Sequence, residues 1–151
     1  MATPKPRPLD RIQALPSWLT GRAAARGRAL VAEAIAGVDL NLAHLAVMAA
    51  AAQNGPLAQA DLVRRLEIDG KDMVLLLNHL ERLGYVARDP DPRDRRKNAI
   101  RVTTEGLAVL NRCLKLAEKA NAELLAPLEP GEREQFIDQL VRVLEAQDAQ
   151  R

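Results

Sequence analysis

The stretch DGKDMVLLLNHLERLGYVARDPDPRDRRKNAIRVT, residues 69–103, holds the clearest helix signal and the clearest hairpin signal of the chain, one directly after the other. Asp69 is a good N-cap, and Gly84 is placed to end the helix. The apolar residues between them follow the spacing of one buried stripe: Met73, Leu76, Leu77, Leu80 and Leu83. The sequence therefore predicts an amphipathic helix whose outer side is open to a partner.

Two short strands are predicted after this helix. Residues 85–89 and 99–103 can pair, and Val86, Ile100 and Val102 would form their inward face. We call the segment between them, PDPRDRRKN, the tip (residues 90–98); its prolines and aspartates oppose regular structure. Its cations are Arg93, Arg95, Arg96 and Lys97. We expect the tip to protrude from the protein rather than to pack against it.

A shorter helix is predicted before the long one. It spans residues 57–66, with Ala58 at the N-cap position and Asp61 at the third helical position. Glu67 and Ile68 then form a tight turn into Asp69, which gives a helix-turn-helix. Together with the hairpin it predicts a winged helix-turn-helix, in which one helix reads the major groove of DNA and the hairpin reaches the flanking backbone or minor groove.

The remaining segments predict helices around this lobe. Residues 1–10 are expected to be a flexible basic arm, 11–36 an N-terminal dimerisation helix, 37–103 the winged lobe and 104–151 the C-terminal dimerisation helices. Aromatic residues make up only 2% of the chain while Ala and Leu abound, which favours helix-on-helix packing. The predicted fold class is mainly α with a small β-hairpin wing.

Charge and cysteine content limit the function classes. The net charge is +2, but residues 88–101 carry six cations against three aspartates. The single cysteine, Cys113, fits a reducing cytoplasm, and no run of residues is long and apolar enough for a membrane span. The sequence contains no nucleophile–base pair, phosphate loop or metal-ligand spacing, so we expect no enzyme, no cofactor and no metal. His44 and His79 lie far apart in the sequence and predict no zinc site.

The segment LERLGYVARDPDPRDRRKNAIRVTTEG closely resembles the wing region of the MarR family of bacterial transcriptional regulators. The matching residues are Leu80, Glu81, Gly84, Arg88, Asp91, Asp94, Arg95, Arg96, Val102, Thr103 and Gly106. The resemblance implies an obligate homodimer whose first and last two helices interlock. It also implies a regulator, a repressor or an activator, that binds double-stranded DNA and often answers a small-molecule effector.

The predicted DNA contacts fall into two groups. On the helix they are Lys71, Asp72, Val74, Leu75 and Asn78, and in the tip they are Arg93, Arg95, Arg96 and Lys97. Val74 and Leu75 stand where the family often has serine, threonine or arginine, so contact with thymine methyl groups is the natural substitute. Asp72 either accepts a hydrogen bond from a cytosine amino group or only complements the helix dipole.

The family's usual ligand crevice, between the dimer helices and the winged lobe, implies an effector site to which Trp18, His44 and Met48 contribute. Trp18 is alternatively an anchor of the dimer interface, and Cys113 is expected to be a packed thiol rather than a redox sensor. The tip is alternatively a solvated turn. A competing function is a winged-helix protein-interaction module that does not bind DNA.

Overall fold

The computed structural model describes residues 7–150. Its elements follow in this order: α1 (Pro8–Gln13), α2 (Pro16–Ala34), a 3-10 turn (Ala36–Val38), α3 (Leu42–Asn54), β1 (Leu57–Ala58), α4 (Gln59–Leu66), α5 (Gly70–Arg82), β2 (Val86–Pro90), β3 (Asn98–Val102), α6 (Thr104–Leu124) and α7 (Pro130–Asp148). The three strands form one antiparallel sheet in the order β1-β3-β2. The fold is mainly α with a small wing, as the sequence predicts.

Helix α5 begins and ends where the sequence predicts. The Asp69 carboxylate accepts a hydrogen bond from the backbone N–H of Lys71 at 2.8 Å, which satisfies one of the free amides of the first turn. Beyond the last turn Gly84 takes a φ of 77°, in the left-handed region that favours glycine. The inner face is fully buried at Met73, Leu77 and Leu80.

Helix α6 starts against the segment that follows α5. The Thr103 hydroxyl accepts from the backbone N–H of Gly106 at 3.0 Å and donates to the Gly84 carbonyl at 2.7 Å. A Cβ on Gly106 would lie only 2.8 Å from the carbonyl carbon of Tyr85. The close approach therefore requires glycine at position 106, and it fixes α6 against the lobe.

The sheet has a third strand that the sequence pattern does not predict. Leu57 and Ala58, expected at the start of a helix, instead pair with Ile100 and Ala99 of β3. This pairing provides hydrogen-bond partners for backbone groups on the edge of β3 that faces away from β2. Leu57 is buried. Ala58 still serves as the N-cap residue of α4, and its side chain makes no capping hydrogen bond.

The N-terminal prediction of a flexible arm over residues 1–10 is partly wrong. Residues 1–6 lie outside the described residues, whereas Pro8–Gln13 forms α1. Pro8 at the first helical position has the φ that a helix needs, and the Asp10 carboxylate accepts from the Arg7 backbone N–H at 3.2 Å. This hydrogen bond to the N-cap residue gives the short helix a defined start.

Side-chain-to-backbone hydrogen bonds fold the tip. Asp91 is only 6% exposed, its carboxylate accepts from the Arg93 backbone N–H at 2.9 Å, and its own N–H donates to the Lys97 carbonyl at 2.8 Å. The Asp94 carboxylate accepts from the Arg96 backbone N–H at 3.0 Å. The two aspartates therefore fold the tip through side-chain-to-backbone turns, and residues 91–97 form neither helix nor strand, as the sequence predicts.

Candidate nucleic-acid interface

The predicted base-reading residues share one exposed face of α5. Lys71, Val74, Leu75 and Asn78 are spaced so that they lie on one side of the helix, and all four are exposed. Leu75 is 67% exposed and the neighbouring Val74 is 40% exposed, so the two form a small apolar patch on this face. This outer face combines one cation, one amide and two apolar side chains.

Asp72 lies in the first turn of α5 and is exposed. A carboxylate in the first turn stabilises a helix because it faces the positive end of the helix dipole. The structural role predicted for Asp72 is therefore available without any DNA contact.

The cations of the tip are all exposed, but they are not equivalent. The guanidinium of Arg93 lies 3.9 Å from the Asp91 carboxylate, and that of Arg96 lies 3.8 Å from the Asp94 carboxylate. Among residues 7–150, Arg95 and Lys97 have no ion-pair partner. Arg95 and Lys97 are thus the tip cations whose charge is least compensated within the chain.

Arg88 links the wing to α5. It lies in the middle of β2, and its Nη2 donates to the side-chain oxygen of Asn78 at 2.9 Å. Its Nε lies 3.1 Å from the Glu81 carboxylate, and the Arg88 side chain is 28% exposed. One guanidinium therefore connects two consecutive turns of the outer side of α5 to the wing.

From the sequence, Arg88 stood out only as part of a family motif, and this contact was not predicted. A usable signal was present: Val86 and Arg88 are two residues apart in a strand and so point to the same side. Because Val86 is buried, an arginine on the same side must find a partner on the neighbouring element. The identity of that partner depends on the packing of β2 against α5, which no local pattern encodes.

His44 and His79, distant in the sequence, form a pair whose ring centroids lie 4.9 Å apart. Nδ1 of His44 accepts from the Asn41 backbone N–H at 3.0 Å, while Nδ1 of His79 accepts from the Arg82 guanidinium at 2.7 Å. Since an arginine can only donate, the proton of neutral His79 is on Nε2, which donates to the Asp39 carbonyl at 2.8 Å. The pair thus ties α5 to the segment between α2 and α3.

Burial lowers the pKa of His44, and the neighbouring His79 lowers that pKa further, while Asp39 opposes the shift. Neutral His44 is also the form whose Nδ1 can accept from the Asn41 amide.

Within residues 7–150 no three potential metal-binding side chains come together, and no helix is long and apolar enough to cross a bilayer.

The structure does not bring the three predicted effector residues together. Met48 is fully buried in the core and His44 borders a groove beside α5. Trp18 is 41% exposed and borders a separate groove of about 530 Å³ that also contacts Arg22, Arg26 and Phe136. Met48 therefore serves as core packing within the chain, because it has no surface to offer a ligand.

Cys113 is fully buried on α6. Burial raises the pKa of its thiol, and the nearby Arg112 only partly opposes this effect. A buried thiol with a raised pKa is a poor nucleophile, which agrees with the predicted packing role.

Residues 38–97, which contain α3, the helix-turn-helix and most of the wing, match the MarR family. The transcriptional regulator HosA of Escherichia coli O111:H- is 31% identical over 104 residues, covering 69% of this chain and 76% of HosA. A putative transcriptional regulatory protein for the hcr operon of Thauera aromatica is 30% identical, over 61% of this chain and 55% of that protein.

Two solved structures extend the likeness along the chain. The repressor CouR, bound to a 23-mer DNA duplex, has a TM-score of 0.83 at 25% identity and covers 93% of this chain and 99% of its own. BpsR of Bordetella bronchiseptica, whose DNA binding is regulated by 6-hydroxynicotinic acid, has a TM-score of 0.80 at 25% identity. It covers 87% of this chain and 94% of its own. The family consists of transcriptional regulators and not of enzymes, as the sequence predicts. This chain belongs to the MarR family of DNA-binding transcriptional regulators.

Proposed function

We propose that this protein represses transcription by binding a specific, pseudo-palindromic DNA operator as a homodimer in the cytoplasm. The observation that carries the proposal is the exposure of the outer face of α5 together with the cationic tip, with Arg88 joining α5 to β2, the strand that leads into the tip. A helix face of this kind suits the major groove, and a cationic hairpin suits the adjacent phosphates or minor groove.

The two parts of this surface have different chemistry. Asn78 and Lys71 can hydrogen-bond to base edges, and Val74 with Leu75 can contact thymine methyl groups. Arg95 and Lys97 carry charge without an ion-pair partner among residues 7–150, so they are suited to phosphates or to a narrow minor groove. We expect sequence preference to come mainly from α5 and general affinity mainly from the tip.

The apolar surface supports a homodimer. No residue of α1 or α7 is buried, although both helices carry large apolar side chains. Their exposed members, together with those of α2 and α6, are Leu9, Ile12, Leu15, Trp18, Leu19, Leu107, Leu114, Leu116, Ile137, Leu140, Val141, Val143 and Leu144. Such a large apolar surface is expected to be covered by a partner, and a two-fold dimer covers the same surface on both copies.

Selection from random DNA, followed by sedimentation of the complex, tests the proposal. We expect an enriched site with two half-sites about one helical turn apart, roughly 10 base pairs centre to centre, and two chains per site. Leu144→Glu, placed on the exposed side of α7, should favour the monomer and weaken binding. Enrichment of asymmetric sites bound by one chain, or no enrichment at all, would contradict the proposal.

An effector site at the Trp18 groove fits the likeness to BpsR. An indole and two guanidinium groups, those of Arg22 and Arg26, are the partners that an aromatic carboxylate needs. Because Trp18 is the only tryptophan, its fluorescence reports directly on this groove. Titration with 6-hydroxynicotinic acid should change the fluorescence of the wild type and much less that of Arg22→Gln. A response that Arg22→Gln keeps and His44→Gln loses would instead place the site beside α5.

A further inference from the structure

The structure assigns a specificity-determining role to Arg88: it fixes the amide of Asn78 so that Asn78 reads a base that offers only hydrogen-bond acceptors in the major groove, guanine or thymine, and not adenine. The inference rests on the proposed DNA-binding function and concerns one base pair in each half-site. Arg88 is a positioning residue, because it acts through Asn78.

The first step is the orientation of the Asn78 amide. An asparagine side chain has an acceptor oxygen on one side and a donor NH2 group on the other. Arginine keeps its proton at every accessible pH and can only donate, so Nη2 of Arg88, at 2.9 Å, selects the orientation that turns the oxygen toward it. The opposite orientation would bring two donor groups together.

The second step is that Arg88 itself is held in place. Its Nε lies 3.1 Å from the carboxylate of Glu81, which is three residues beyond Asn78 and hence on the same side of α5. The backbone of Arg88 is fixed by its pairing with Ile100 in the sheet. A guanidinium held at two nitrogens and at its backbone is a rigid support for the amide.

The third step is the consequence for base recognition. Asparagine recognises adenine through two hydrogen bonds, in which its oxygen accepts from N6 and its nitrogen donates to N7. In this protein the oxygen already accepts from Nη2 of Arg88, so an adenine N6 amino group would have to share that oxygen with a guanidinium, whose positive charge disfavours a second donor there. The free NH2 group can instead donate to N7 or O6 of guanine or to O4 of thymine.

The experiment compares variants on one set of DNA duplexes. Starting from the site that the wild type selects, each position of one half-site is changed to all four base pairs, and the dissociation constants of wild type, Asn78→Ala, Arg88→Met and the double variant are measured. Arg101→Met is the matched control, since Arg101 is also a wing arginine in an ion pair, with Asp89 at 2.7 Å, but lies on β3.

We expect the wild type to prefer guanine or thymine at one position, and Asn78→Ala to remove that preference. Arg88→Met should shift the preference at this position toward adenine by about tenfold, while the double variant should behave as Asn78→Ala. Arg101→Met should keep the wild-type preference.

Two results would overturn the inference: a wild-type preference for adenine or cytosine at the Asn78 position, or an Arg88→Met variant that weakens all duplexes equally. If Arg88→Met fails to fold, as judged by circular dichroism, Arg88→Lys replaces it, since lysine keeps the positive charge but lacks the planar fork with which arginine holds Glu81 and Asn78 at separate nitrogens. An unchanged ratio of guanine to adenine affinity in that variant counts against the inference. Failure of the wild type to prefer any sequence would instead contradict the proposed function.

Discussion

At the scale of single residues, Thr103 and Gly106 explain why α6 is held in a fixed position against the segment between α5 and the wing. One hydroxyl group caps α6 and also holds the Gly84 carbonyl that ends the α5 segment. Gly106 lets the first turn of α6 approach Tyr85 more closely than any residue with a Cβ could. The spacing of Thr103 and Gly106, which in the sequence is only a family likeness, thus has a steric cause.

Gly106→Ala should destabilise the fold by about 1–3 kcal/mol, because the new methyl group collides with backbone that cannot move without disturbing the sheet. Gly131→Ala is the matched control: it also lies in the first turn of a helix, but nothing lies within 4 Å of its Cβ position. That change should be neutral or stabilising by about 0.4–1 kcal/mol. Chemical denaturation at equal protein concentration measures both, and equal effects would show that the close approach is not essential.

His44 should make stability depend on pH. Its pKa is lowered in the folded state by burial and by His79, so below its ordinary value of 6.5 the unfolded chain binds more protons than the folded one. The stability contributed by neutral His44 is therefore complete above pH 6.5 and is lost as the pH falls through the lowered pKa. His44→Gln, whose amide oxygen can still accept from the Asn41 N–H, should flatten this dependence below pH 6.5. Parallel stability curves for the two proteins would contradict the assignment.

At the scale of elements, periodicity predicted α5 well because its buried stripe and both caps are encoded within sixteen consecutive residues, 69–84. The strand β1 could not be predicted in the same way, because Leu57 and Ala58 pair with residues more than forty positions later. The contact between Arg88 and Asn78 was missed for the same reason: it depends on how β2 packs against α5. The burial of Asp91 was not predicted, because aspartate is typical of exposed turns; here its carboxylate accepts a hydrogen bond inside the tip.

The N-cap residue of α4 makes no side-chain hydrogen bond, so a substitution there tests where this helix begins. Ala58 occupies the N-cap position without a side-chain acceptor, so Ala58→Ser should add one hydrogen bond to a free amide and stabilise the fold by about 0.5–1 kcal/mol. Ala60→Ser, inside the first turn of α4, adds the same hydroxyl without the cap position and should be neutral or slightly destabilising. A lower melting temperature for Ala58→Ser than for Ala60→Ser would mean that the hydroxyl cannot reach the amide while β1 stays paired.

At the scale of the whole molecule, a dimer of this chain would carry two α5 helices and two wings related by a two-fold axis. The net charge of +2 is too small to drive DNA binding by itself, so affinity must come from the uneven distribution of cations that the tip displays. In this arrangement α5 supplies sequence preference, the tip supplies phosphate affinity, and Arg88 connects α5 to strand β2 of the wing.

The most direct test of this division of roles is a salt titration of Arg95→Ala and Asn78→Ala against the selected site and scrambled DNA. Arg95→Ala should weaken binding to every duplex and flatten the slope of log K against log salt by about 0.9 for each phosphate that is no longer neutralised, while sequence preference persists. Asn78→Ala should cost about 1–3 kcal/mol at one base pair per half-site and leave the slope nearly unchanged. If Arg95→Ala abolished sequence preference without changing the slope, the wing would be the reader and this division of roles would be wrong.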